Sequence, residues 1–440
     1  MTEHTSAPSG SRRDFLRSSA AVAGATLVTQ LSNVPPVHAA GDDVIRVGLI
    51  GCGSARGGRG RGAAAQCVNA GPNVKLVAMG DVFKDHLDYT RENLMKLGPT
   101  KVDVPAERCF VGFDAYQKVI DSGVDLVILA APPGFRPLHL AAAVAAGKHV
   151  FAEKPVAVDG PGVRSVLKSL EEAKKKNLSL VSGLCWRYHP GMRETFGRVL
   201  AGDIGDILAM QTTYNTGGLW MIPRQPNMTD MEWQLRNWLY FTWLSGDHNV
   251  EQHIHSLDKM AWVMKDEYPV KAVGLGGRQQ RTGPEYGHIF DHHSVVYEYG
   301  NGVKLFSSCR QQPGTAADVS DHIWASKGLC HIDASRYAFS IKENGGKTWR
   351  CKTDPAHADM YQNEHNELIA SIRNGKRINN GDYMTKSTLM AIMGRMATYT
   401  GQQITWEMAL NSKENLAPAK YEFGELPTPH VAVPGVTKFV

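Results

Sequence analysis

The strongest constraint in this chain is a recurrence. Four short, nearly all-apolar runs are each followed by a longer stretch with helical periodicity. Val44–Ile50, Lys75–Met79, Asp125–Ala130 and His149–Ala152 read as strands buried on both faces. The stretches near Gly62–Ala70, Asp85–Leu97, Ala115–Ser122 and Pro137–Ala146 read as helices. Strands that need cover on both faces, joined by helical crossovers, imply a parallel, doubly wound sheet over residues 43–155.

Residues 156–410 have a different rhythm. A helix at Gly162–Lys176, a strand at Leu178–Leu184 and a helix at Pro190–Leu200 lead into strand-like runs at Ile207–Thr213, Val270–Leu275, Ser294–Tyr299 and Val303–Ser308. The last two flank Gly300-Asn301-Gly302, a hairpin signal. Helices follow at Met360–Arg373 and Thr385–Thr400. Locally joined strands imply an α+β domain with a mostly antiparallel open sheet. Residues 411–440 lose periodicity and carry Pro418, Pro427, Pro429 and Pro434, which predicts a tail either disordered or laid across another surface.

The amino terminus stands apart. Ser11-Arg12-Arg13-Asp14-Phe15-Leu16, the apolar stretch Ala20–Leu31 and Val37-His38-Ala39 have the form of a twin-arginine export signal with its cleavage site, occupying residues 1–39. That implies an exported, periplasmic protein handled folded by the twin-arginine machinery. The apolar stretch falls short of the ~20 residues a bilayer span needs. The net charge of +5 becomes about +4 without these residues and is dispersed, which argues against nucleic acid as a partner. The seven cysteines form neither a C-x-x-C pair nor a disulfide framework, and read as buried thiols.

Gly51-Cys52-Gly53 directly follows the first strand, and Gly57 to Gly62 precede the first helix. Such glycines let backbone approach a pyrophosphate, whose charge then meets the helix N-terminus. Arg56 stands where the third glycine of G-x-G-x-x-G belongs, so the loop reads as lengthened by about four residues, with Gly60 in the third role. Asp81 ends the next strand, where a carboxylate accepts ribose hydroxyls and repels a 2′-phosphate. NAD is expected over NADP, although Arg56, Arg59 and Arg61 leave NADP open. The first domain is therefore predicted to be a Rossmann domain.

Ala130-Ala131-Pro132-Pro133, His139 and Ala146 through Glu153-Lys154-Pro155 resemble the signature of the glucose–fructose oxidoreductase/inositol dehydrogenase (Gfo/Idh/MocA) family. Glu251-x-x-x-His255-x-x-Asp258 resembles a second family motif, with glutamate where members usually carry aspartate. The likeness continues through Trp186-Arg187-Tyr188-His189-Pro190 and covers roughly residues 44–410. It implies that Lys154 faces nicotinamide and substrate and shares proton transfer with His255. It also implies Pro132, His139, Glu153, Lys154 and Arg187 as cofactor contacts beside Gly51, Gly53, Gly60 and Asp81.

Spacing alone puts Glu251, His255 and Asp258 on one helix face. A histidine is a base suited to alcohol oxidation, and Glu251 could orient it or meet a substrate hydroxyl. The bland alternative is a solvated polar face or a satisfied core histidine. Seven aromatics between Tyr214 and Trp243, dense against 8% over the chain, suit either sugar stacking or packing. Tyr188, Asn215, Trp220 and Asp258 are the candidate substrate contacts. Histidines 248, 253, 255, 288, 292 and 293 lack zinc-like spacing, so no metal is expected.

The implied activity is NAD(P)-dependent oxidation or reduction of a sugar, cyclitol or glycoside hydroxyl, with tightly held nucleotide, in a homo-oligomer. One alternative is glycoside hydrolysis by transient oxidation and elimination. A non-catalytic sugar-binding protein is the other.

Overall fold

In a computed structural model, which describes residues 43–440, the chain forms two sheets. The first has six parallel strands in the order β3-β2-β1-β4-β5-β6. These are β1 (Ile45–Ile50), β2 (Val74–Asp81), β3 (Cys109–Val111), β4 (Leu126–Leu129), β5 (His149–Ala152) and β6 (Leu180–Ser182). The order reverses between β1 and β4, so a crevice opens at the carboxyl ends of these two strands. β4 and β5 are wholly buried, as their unbroken apolar runs demand.

β6 changes the expected domain organisation. It pairs in parallel with β5 and is reached through the helix Gly160–Lys175, so the first sheet does not end near residue 155. Local periodicity alone assigns this helix and strand to the second domain.

The second sheet has nine strands, β7 to β15, in the order β14-β13-β12-β11-β7-β10-β9-β8-β15. β7 (Ile207–Thr216), β8 (Lys271–Gly277), β9 (His292–Glu298) and β10 (Lys304–Gln311) match the expected runs. β11 (Ser320–Ala325), β12 (Gly328–Asp333), β13 (Ala338–Glu343) and β14 (Thr348–Arg350) are additions, and β15 (Ile404–Thr405) closes one edge. Only the pairing of β7 with β10 is parallel. The helices Ile254–Val263 and Gly381–Thr400 cover one face. The other exposes Leu208, Val273, Leu275, Phe306 and Trp324.

The tail is laid down rather than loose. Leu416 N–H donates to Asp159, Met231 N–H to the Gly424 carbonyl, and Leu426 N–H to Asp230. The twin-arginine segment lies outside the described residues. Among those residues, no helix is long and apolar enough to cross a membrane.

Many histidines are buried in this fold. Burial holds His248 and His288 at a pKa of about 4 and His365 at about 3. Folding therefore excludes protons that the unfolded chain takes up below about pH 6.5. Stability is expected to fall as pH drops from 6.5 toward 4, by up to about 1.4 kcal/mol per pH unit for each histidine. Denaturant melts across that range check this; a flat profile would contradict the buried, neutral state.

Candidate active site

The glycine loop is built as its spacing implied. Ser54 to Gly57 fold back on themselves through paired main-chain hydrogen bonds of 2.7 and 3.2 Å, which absorbs the inserted residues. Gly51 and Gly53 take left-handed backbone angles, φ 90° and 75°. A Cβ on Gly51 would lie 2.2 Å from the Ala131 nitrogen, and one on Gly60 would lie 2.0 Å from the Gly51 carbonyl oxygen. Gly60 thus lets the helix Arg59–Asn69 press against the end of β1. Gly58 caps that helix without a side chain, leaving its first amides available to an anion.

Asp81 ends β2 and braces the loop. One carboxylate oxygen accepts from Cys52 N–H at 2.7 Å, the other from Phe83 N–H at 2.9 Å. A carboxylate has lone pairs beyond these two, so ribose hydroxyls can still be accepted.

From here a cleft of about 360 Å³ runs between the domains to Lys154 and Glu251. Gly51, Gly53, Asp81, Pro132, His139, Glu153 and Trp220 line it, but Gly60, behind the loop, does not. His139 stacks on Tyr116 and Phe135; burial and Arg136 hold its pKa to about 3, so it is a neutral wall. Glu153 accepts from Arg59 Nε at 3.0 Å, tying the glycine loop to the end of β5. Arg136, also in the wall, donates to the carbonyls of Leu129 and Glu153 and fixes the ends of β4 and β5.

At the far end the Lys154 ammonium donates to the Glu251 carboxylate at 2.8 Å and to its carbonyl at 2.6 Å. The two side chains are only 12% and 14% exposed. Lys154 projects from the end of the parallel sheet and Glu251 from the other domain. This is the contact that brings the two predicted motifs together.

The single helix face does not exist as expected. Glu251 ends the short helix His248–Glu251, Gln252 and His253 break the run, and His255 is the second residue of Ile254–Val263. Glu251, not His255, is the direct partner of Lys154, and His255 lies off the cleft lining. Its pKa is held well below the ordinary value by burial and by the charges of Lys154, Lys259 and Arg59. The imidazole is neutral beside the ammonium.

Four candidates sit elsewhere. Arg187 is committed to Asp258 at 2.8 Å and Asp266 at 2.6 Å and stacks on Tyr383, so it does not line the nucleotide cleft. Asp258 is 1% exposed and also accepts from Ser387, which makes it a structural anion. Tyr188 donates to Asn380 at 2.6 Å, and Asn215 belongs to β7, its N–H bonded to the Asp318 carbonyl. None of the three proposed substrate contacts Tyr188, Asn215 and Asp258 reaches the cleft.

The aromatic run divides. Trp220 and Trp238 line the cleft, whereas Trp233, Tyr240, Phe241 and Trp243 are buried in an interdomain cluster with Phe83 and Phe135. The histidine concentration resolves around Asp247, whose carboxylate accepts from His248, Phe290 N–H and Tyr399 and lies 3.2 Å from His293. That geometry is a hydrogen-bonded hub.

Residues 45–182 match the family described as "Oxidoreductase family, NAD-binding Rossmann fold", Gfo/Idh/MocA. The match spans the whole first sheet, β1 to β6. An inositol 2-dehydrogenase of Serratia proteamaculans is 25% identical over 60% of this chain and 68% of its own length. The 2,7-anhydro-N-acetylneuraminate hydratase of Escherichia coli is 27% identical over 50% of this chain and 55% of its own. A Lactobacillus casei scyllo-inositol dehydrogenase, solved with NAD(H) and scyllo-inositol, shares the fold with TM-score 0.62. It is 17% identical over 83% of this chain and 99% of that one. The chain is an NAD-binding oxidoreductase.

The glycine cradle, the uncapped helix N-terminus and Asp81 fit a dinucleotide. Replacing Asp81 with asparagine is expected to weaken NAD about tenfold while changing NADP little, since the repulsion of a 2′-phosphate goes as well. Titrations with both nucleotides measure this; unchanged discrimination would remove Asp81 from the ribose site.

Proposed function

We propose that this oxidoreductase acts on a CH–OH group of a sugar, cyclitol or glycoside. The observation that carries the reading is the Lys154–Glu251 pair, which closes the nucleotide cleft from the opposite domain. NAD, when bound, supplies the two-electron acceptor for the C–H bond. Lys154, oriented by Glu251, offers its remaining N–H to the substrate oxygen and lowers the cost of losing the hydroxyl proton. His255, neutral and off the cleft lining, receives that proton by relay through the neighbouring Lys154 ammonium, which passes one of its own protons on as it takes up the substrate's. Trp220 and Trp238 offer aromatic faces to the apolar side of a ring substrate.

The similarity to an anhydro-sugar hydratase favours a second reading. Transient oxidation acidifies the neighbouring C–H, that proton and the leaving group depart to give an enone, water adds across the new double bond, and return of the hydride restores the alcohol. The same Lys154 and Glu251 serve both. Accumulated keto-sugar with reduced cofactor supports net oxidation; a free sugar with no net redox change supports the second.

We further propose that the protein is exported by the twin-arginine route, keeps its NAD through turnover, and assembles as a homo-oligomer. The first part rests on Arg12-Arg13, and replacing both by lysine should block export. Protein isolated from the exported fraction should release nucleotide on denaturation, and its absence would refute retention.

Lys154→Met and His255→Ala should each lower turnover on an identified substrate by about 10²-fold or more, with nucleotide binding intact. Glu251→Gln should cost less, because the carbonyl contact to Lys154 survives. Undiminished turnover in Lys154→Met would end this mechanism.

A further inference from the structure

We infer that the carboxy-terminal tail is a latch on the adenosine end of the cleft, and that Tyr421 and Phe423 are positioning residues for the bound nucleotide. This rests on the proposal that NAD is retained.

The two ends of the tail are tied to each other and to the second domain, where Arg395 pairs with Glu414 at 2.5 Å. Ser412 Oγ and Lys413 N–H donate to the Val440 carbonyl at 2.7 and 3.1 Å, and Gly435 N–H donates to Thr400 at 2.8 Å. Between these anchors the chain crosses to the first domain. Leu416 N–H reaches Asp159 at 2.9 Å, at the start of the helix Gly160–Lys175. The Tyr421 ring packs on Phe135 and Phe113, with centroids 5.3 and 6.3 Å apart. The Phe423 ring packs on Phe113 and Phe83 at 5.2 and 6.0 Å. The chain then returns to the second domain, where Gln234 donates to the Leu426 carbonyl at 2.6 Å.

Phe83, Phe113 and Phe135 all line the nucleotide cleft, and Phe83 is two residues from Asp81. The tail therefore backs the aromatic wall beside Asp81. A second tie crosses at the same place. Arg236 of the second domain pairs with both oxygens of Asp85 at 3.0 and 3.1 Å and lies 4.0 Å over the Phe83 ring. A nucleotide held there leaves when wall and bridge part together. Phe423 is 48% exposed, so its contacts can open without disturbing the core.

The test uses the full chain loaded with NADH. Its release on dilution is followed by loss of energy transfer from tryptophan, since Trp220 and Trp238 line the cleft. Phe423→Ala and Tyr421→Ala should release NADH on the order of tenfold faster, with kcat at saturating NAD and the melting temperature little changed. Phe423→Leu should restore most of the slow release. Slow release from wild type and variants alike would overturn the latch and leave retention standing. Fast release from wild type would overturn retention and the latch with it.

Discussion

The site depends on one ion pair drawn across a domain boundary. Lys154 stands at the end of β5 and Glu251 in the facing domain, and both are largely withdrawn from water. Withdrawing two charges costs several kcal/mol each unless geometry and further hydrogen bonds offset it. Here the ammonium has both the carboxylate and the carbonyl of Glu251, so two of its three donors are satisfied within one residue. In the proposed reaction the third is left for the substrate oxygen. A pair of this kind sets the distance between nucleotide site and opposite wall, because neither charge can retreat without leaving the other buried alone.

Much of the frame was legible because it follows from burial. Strands covered on both faces must be nearly all apolar, and β1, β4 and β5 announce themselves that way despite Arg46 and His149 near their starts. The glycines were legible for a steric reason: no side chain fits where Gly60 meets the Gly51 carbonyl. β6 was seen as a strand but given to the wrong domain, since its parallel pairing with β5 is a long-range fact that no local pattern records. β11 to β13 do alternate, with Ile323, Ala325, Cys330, Ile332, Phe339 and Ile341 turned inward, but polar residues between them dilute the signal.

The site was harder to read for two physical reasons. Helical spacing assumes an unbroken helix, and the break at Gln252 and His253 turns Glu251 toward Lys154 while Asp258 goes into the core with Arg187. Residue type also carries no direction. Nothing in the sequence separates Trp220 and Trp238, which line the cleft, from Trp233 and Trp243, which fill the cluster behind it. Arg59 and Arg136 were missed as organising residues for the same cause, since their partners lie far away along the chain.

The surroundings of His255 join these threads. Three cations act on it: Lys154, Lys259 and Arg59. Each is itself held by a carboxylate from elsewhere in the fold: Glu251, Asp321 and Glu153 respectively. Burial and this ring of cations oppose protonation of the imidazole, while the carboxylates keep the cations from being stranded in a low dielectric. A base must be empty before it can take a proton, and one that stays empty well below neutral pH is ready throughout the physiological range. The cost is a weaker proton acceptor. In the proposed reaction the neighbouring Lys154 offsets that by stabilising the oxygen from which the proton departs, so the same ammonium that depresses the base also makes its task easier.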